Sequence, residues 1–122
     1  MHNPIKLVKH YWLVLSLLTL IAITFLSLTP LPSLPLVPGS DKTHHFIAYG
    51  VLMFPTALRK PKYWPLVALF FIAFSGVIEI LQPYVNRYGE WLDLLANALG
   101  IIICMALVTI VRFLKKKMCP LV

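Results

Sequence analysis

The amino-acid sequence predicts an all-α, polytopic membrane protein, with four transmembrane helices in a single domain over residues 1–122 and both termini in the cytoplasm. Three observations predict this fold: an apolar composition, four long apolar runs, and basic residues confined to alternate connecting segments. The chain is 60% apolar and 12% charged, whereas a soluble domain is about 45–50% apolar and about 25% charged. A small globular protein cannot bury such an excess of apolar residues. The composition therefore excludes an ordinary soluble domain, a disordered chain and a nucleic-acid-binding module.

The four apolar runs are long enough for helices that cross about 30 Å of hydrocarbon, which takes roughly 17–25 residues. The helices are predicted at approximately 11–28, 41–58, 65–82 and 91–111. A proline-rich segment separates the first two runs, and the second run is the shortest, with Pro55 near its end. The first run is longer than the apolar region of a secretory signal peptide and no cleavage site follows it. We therefore interpret it as an uncleaved helix.

The basic residues predict the orientation, because they mark the cytoplasmic side of a membrane protein. Nine of the eleven lie before the first run, between the second and third, or after the fourth: Lys6, Lys9, Arg59, Lys60, Lys62, Arg112, Lys115, Lys116 and Lys117. With four spans, these segments share one side, and the other side carries only Lys42 and Arg87. Both termini are therefore expected in the cytoplasm.

The carboxylates all lie on the opposite, outer side: Asp41, Glu79, Glu90 and Asp93. Residues three or four apart share a helix face, and this spacing places one polar stripe on each of the second, third and fourth helices. The stripes consist of Asp41, His45 and Tyr49, of Ser75, Glu79 and Gln82, and of Asp93, Asn97 and Gly100. Polar groups scattered toward lipid would each cost several kcal/mol. The sequence therefore predicts one shared cluster on the outer side, with Lys42 and Arg87 at the same level.

Several of these residues also have a purely structural interpretation. Asp41 and Glu90 are suited to cap helix N-termini, and Asn97 is suited to link two helices by hydrogen bonds. Glu79 is the hardest to explain in this way, because apolar residues flank it, and an ionisable residue in a membrane helix is by default functional. We expect Glu79 to pair with Arg87 or His45.

A metal site is not predicted. Asp41, His44, His45 and Glu79 contain suitable ligand atoms, but adjacent histidines point about 100° apart on a helix. The sequence therefore predicts neither a metal nor another cofactor.

The polar motifs resemble the signatures of the VanZ-like family of small membrane proteins, which is named after a teicoplanin-resistance protein. They read Asp41-Lys42-x-x-His45-Phe46-x-x-Tyr49, Glu79-x-x-Gln82-x-x-x-x-Arg87 and Asp93-x-x-x-Asn97-x-x-Gly100. The resemblance covers roughly residues 12–112, and Cys104 departs from it, since the family often has a second glycine there. It implies a multi-pass protein of the bacterial inner membrane. Some members confer low-level teicoplanin resistance, but the domain brings no settled activity, and resistance does not transfer with the fold.

Three functions stay open. The first is binding or moving an anionic cell-envelope lipid or precursor, with a link to glycopeptide resistance; its ligand-binding residues are Asp41, Lys42, His45, Tyr49, Glu79, Gln82, Arg87, Asp93 and Asn97. The second is an intramembrane hydrolase or transferase with His45 as general base, oriented by Asp41 or Glu79. The sequence places no serine or cysteine nucleophile near the outer cluster for such a reaction. The third is a structural subunit of an envelope complex. The expected partner is the lipid bilayer and not nucleic acid.

Overall fold

The computed structural model describes residues 3–29, 41–85 and 91–118, and 92% of these residues are helical. The helices are α1 Pro4–His10, α2 Trp12–Ser27, α3 Asp41–Arg59, α4 Trp64–Leu81 and α5 Trp91–Met118. A short 3-10 turn, Gln82–Val85, follows α4 directly. The described residues contain no strand, which confirms the all-α class.

The first helix, α1, was not anticipated from the sequence. Asn3 caps it by accepting a hydrogen bond from the Ile5 backbone N–H at 2.9 Å, and Pro4 begins it. Both residue types favour a helix start. The chain then turns by 80° at Tyr11 into α2. The basic residues before the first apolar run therefore lie on a separate short helix and not on an extension of α2.

Two helices are long and apolar enough to cross a membrane: α4 with its 3-10 turn, Trp64–Val85, and α5. The bent pair of α1 and α2 brings the number of candidate spans to three. The second predicted span, α3, does not qualify by composition, since polar residues such as Lys42, His45 and Arg59 occupy its ends. A crossing by α3 stays a prediction.

The packing gives a physical reason for the polar character of α3. This helix contributes the most enclosed side chains of the described core, including Tyr49, Leu52 and Met53, and its main partner is α5. The exposed large apolar side chains of α3 are Ile47, Val51 and Phe54, whereas α2, α4 and α5 together carry many more. A helix that packs largely against other helices needs less apolar surface than one that mainly faces lipid.

One end of the bundle gathers basic segments. The rings of Trp12 and Tyr63 lie 6.3 Å apart, which joins the starts of α2 and α4. The Arg112 guanidinium donates a hydrogen bond to the Leu58 carbonyl oxygen at 2.9 Å, which joins the last turn of α3 to α5. We call this the basic end, because it also carries Arg59 and the lysines that follow Arg112.

The other end gathers the carboxylates that the structure describes, Glu79 and Asp93, and we call it the carboxylate end. Here the Gln82 side-chain amide donates to the Ser27 carbonyl oxygen at 3.1 Å, which joins the ends of α4 and α2. His45 contacts Asn97 at 3.1 Å, which joins the starts of α3 and α5. Consecutive long helices, from α2 to α5, therefore run in opposite directions.

The backbones of α3 and α5 approach each other closely at Gly100. A Cβ atom added there would overlap the Phe46 carbonyl oxygen and lie 3.2 Å from the Gly50 backbone nitrogen. The backbones of α3 and α5 are thus in direct contact, as small residues in membrane helices allow. This contact lies one turn below Asn97 and brings the amide of that residue within reach of His45.

Candidate functional site

A group of five polar side chains lies at the carboxylate end between α3, α4 and α5. We call it the polar cluster, and its members are Lys42, His45, Glu79, Asp93 and Asn97. Lys42 and His45 come from the first two turns of α3, Glu79 from the last turn of α4, and Asp93 and Asn97 from the first two turns of α5. The helical spacing of each pair places both members on one face.

His45 is held by Asn97. The Nδ1 atom of His45 lies 3.1 Å from the Asn97 side-chain oxygen, which can only accept a hydrogen bond. Nδ1 is therefore the donor in this contact, and Nε2 is directed away from Asn97. Asn97 is fully buried, and its Nδ2 atom has no hydrogen-bond partner among the described residues.

Asp93 lies on the other side of the imidazole. Its Oδ2 atom is 3.9 Å from His45 Nε2, which is too long for a hydrogen bond. The Asp93 side chain is only 3% exposed. A buried carboxylate of this kind is costly unless a cation or a proton compensates its charge.

Glu79 adds a second buried carboxylate from a third helix. One ligand atom from each of His45, Glu79 and Asp93 can be chosen so that all three lie within 4.8 Å of one another. Two acidic groups and an imidazole are thus concentrated at one end of a bundle whose core is mostly apolar. Such a grouping can hold a proton or a cation, and it repels a second negative charge unless one of these is present.

Lys42 forms the rim of the polar cluster. Its ammonium nitrogen lies 3.8 Å from Asp93 Oδ1, and its side chain is 47% exposed, compared with 3% for Asp93. A column of polar groups therefore leads from the surface of α3 down to the buried imidazole of His45. Ion pairs that are half exposed contribute little to stability.

The remaining predicted site residues lie around this column. Tyr49 is buried one turn further along α3, within electrostatic reach of the Glu79 carboxylate. Ser75 donates its hydroxyl to the Ile72 carbonyl oxygen of its own helix at 2.8 Å. Gln82 is buried and contacts the Ser27 carbonyl oxygen of α2. Sequence reasoning did not single out this contact with α2, because a backbone acceptor leaves no side-chain signal.

Three predicted residues are not placed. Arg87 and Glu90 lie outside the described residues. Asp41 begins α3, but its side chain is also outside what the structure describes. The predicted pairing of Glu79 with Arg87 therefore stays a prediction, whereas the structure brings Glu79 close to His45.

Comparison with known proteins identifies one family. The family model described as VanZ/LLP1 matches residues 4–112, which is most of the chain. No curated protein and no solved structure matches the chain.

Proposed function

Since the chain belongs to the VanZ/LLP1 family and carries helices apolar enough to cross a membrane, we propose that it is a four-span protein of the bacterial inner membrane. Its termini lie in the cytoplasm, and its polar cluster binds the phosphate-bearing head of an anionic envelope lipid or cell-wall precursor. Movement of that lipid between leaflets, and a contribution to teicoplanin-type resistance, belong to the same proposal.

The alternating helix directions support the four-span topology. The basic end combines the start of α2, the connection between α3 and α4, and the end of α5. Basic residues favour the cytoplasmic side, so this end is assigned to the cytoplasm. The burial of α3 by its neighbours explains how a helix with polar ends can cross with them.

Cysteine labelling tests the topology. In a Cys104→Ser, Cys119→Ser background, single cysteines are introduced by Ser33→Cys, Lys62→Cys, Tyr84→Cys and Lys116→Cys. A membrane-impermeant maleimide applied to spheroplasts is expected to label the variants at positions 33 and 84. Those at 62 and 116 should react only after permeabilisation. Labelling of positions 33 and 62 from the same side would show that α3 does not cross.

The observation that carries lipid binding is the half-exposed Lys42 above the buried Asp93 at the carboxylate end. The carboxylate holds the ammonium at the rim of the bundle, where a lipid phosphate in the outer leaflet can contact it. Lysine binds phosphate as a point charge. Arg87, five residues beyond Gln82 in the sequence, is the second proposed cation and suits bidentate phosphate binding.

Lipid retention through purification tests this function. Mass spectrometry of lipids extracted from the wild-type protein is expected to show one phosphate-bearing class strongly enriched over the membrane extract. Lys42→Gln and Arg87→Ala are each expected to reduce that enrichment about tenfold, since a hydrogen bond to a charged group contributes about 1.5–3 kcal/mol. Enrichment of a phospholipid or of a polyprenyl-linked precursor identifies the source of the phosphate.

The matched control is Lys62→Gln, which removes the same charge from an exposed position between α3 and α4. It is expected to leave the enrichment unchanged. The proposal is wrong if all variants retain the wild-type lipid profile, because the lipid would then be an unspecific belt around the bundle.

A further inference from the structure

We propose that the polar cluster is a divalent-metal site, with His45 Nε2 and one carboxylate oxygen each from Glu79 and Asp93 as ligands. This inference goes beyond lipid binding and does not depend on it. The sequence did not predict a metal, because adjacent histidines on one helix cannot share an ion. The structure instead combines one histidine with carboxylates from two other helices.

The separation of the ligand atoms is compatible with metal coordination after small side-chain movements. One ligand atom from each of His45, Glu79 and Asp93 can be chosen so that all three lie within 4.8 Å of one another, and His45 Nε2 is 3.9 Å from Asp93 Oδ2. Around a zinc ion with bonds of about 2.0–2.2 Å, ligand atoms are roughly 3.3 Å apart. Closure by up to about 1.5 Å is within the range of side-chain rotation on fixed helices.

The contact with Asn97 is the second observation that favours a metal. A metal-binding histidine almost always donates its other ring N–H to an acceptor, which fixes the tautomer and the orientation of the ring. Asn97 accepts from His45 Nδ1 at 3.1 Å and is itself fully buried. The imidazole is therefore oriented with Nε2 on the side of Asp93, 3.9 Å from its Oδ2 atom.

Charge is the third observation. The two ligand carboxylates carry two negative charges when ionised, and a divalent ion balances them together with a neutral imidazole. Nitrogen and oxygen ligands without thiolate suit a first-row ion such as zinc, manganese or iron. Three protein ligands leave a coordination position open to water or to an oxygen of a bound molecule.

Substitution of Lys42 is expected to affect metal binding and lipid binding in opposite directions. The ammonium of Lys42 lies 3.8 Å from Asp93 and competes with a metal for this carboxylate. Lys42→Gln is therefore expected to bind metal at least as tightly as the wild type, although the same change weakens the proposed lipid binding. The two proposals can thus fail separately.

The test uses the full chain, purified in detergent without a histidine tag, in the Cys104→Ser, Cys119→Ser background, and treated with chelator. Cobalt(II) is added as a spectroscopic probe, and zinc is titrated by calorimetry. We expect one equivalent of bound metal and a visible cobalt spectrum without thiolate bands. His45→Gln, Glu79→Gln and Asp93→Asn are each expected to weaken zinc binding at least tenfold.

Histidine-matched controls are His44→Gln and His10→Gln, which are expected to bind zinc as the parent does. Tryptophan fluorescence melting checks that each variant is folded, and Glu79→Gln is the variant most expected to stay folded. The proposal is overturned if the parent binds no cobalt or zinc, if folded Glu79→Gln binds as tightly as the parent, or if His44→Gln removes binding.

Discussion

Gly100→Ala is expected to lower the melting temperature of the detergent-solubilised protein by several degrees and to weaken binding at the polar cluster. The added Cβ atom would overlap the Phe46 carbonyl oxygen, and a backbone atom cannot move without shifting α3. Overpacking of a core usually costs about 1–3 kcal/mol, and we expect the upper part of that range. Separation of α3 from α5 would also lengthen the contact between His45 and Asn97.

The matched controls are Gly50→Ala and Gly76→Ala. Their added Cβ atoms would lie 3.6 Å from the Gly100 carbonyl oxygen and 3.9 Å from a Leu94 methyl group, both ordinary contacts. Alanine is the better helix former by about 1 kcal/mol, so both controls should melt at or above the wild-type temperature. If Gly100→Ala melts with the controls, α3 and α5 do not pack backbone against backbone. Tryptophan fluorescence during heating is a suitable measurement.

The helical class could be predicted from the sequence because apolar composition leaves few alternatives. In lipid every backbone polar group needs an internal partner, so a long apolar run becomes a helix. The bend at Tyr11 could not be predicted in this way. Asn3 and Pro4 favour a helix start, but the direction in which α1 leaves α2 depends on packing and on the membrane surface.

The number of membrane-spanning helices illustrates a second limit of prediction from the sequence. Whether α3 crosses depends on its surroundings, since its own composition falls short of a membrane span. Hydropathy depends only on the residues of the helix itself. The burial of Tyr49 and Leu52 shows that one face of α3 packs against other helices, which hydropathy does not record. Polar residues at the ends of a helix cost less free energy when they contact protein than when they contact lipid.

For the site, helical periodicity predicts which residues share a face but not which neighbour that face meets. His45, Glu79 and Asp93 come from three helices and lie together. Gln82 shares the α4 stripe with Glu79 but hydrogen-bonds to α2. Side chains on one stripe span about two turns, so its two ends can contact different helices.

Glu79→Gln is expected to raise the melting temperature of the metal-free protein while it weakens metal binding at least tenfold. The carboxylates of Glu79 and Asp93 both lie near His45 in a buried setting. Two like charges at such a separation repel by between about 1 and 3 kcal/mol, depending on the local dielectric. The amide keeps the shape of the side chain and removes this repulsion. Greater stability with lost function is the pattern expected of a site maintained for binding.

The reciprocal change, Asn97→Asp, adds a third carboxylate to the same buried cluster and is expected to lower the melting temperature at neutral pH. If Glu79→Gln instead melts as early as Gly100→Ala, the polar cluster stabilises the packing of the bundle, and the hypothesis of a structural subunit of an envelope complex gains support.

Zinc should reverse the order of the melting temperatures of the wild type and Glu79→Gln. A ligand at 100 times its dissociation constant stabilises the folded state by about 2.7 kcal/mol. The wild type should gain this increment, and Glu79→Gln should gain little. Wild-type protein would then melt above the variant in zinc and below it in chelator. If the order in chelator holds but zinc changes neither protein, the repulsion between Glu79 and Asp93 is real and the metal proposal is wrong.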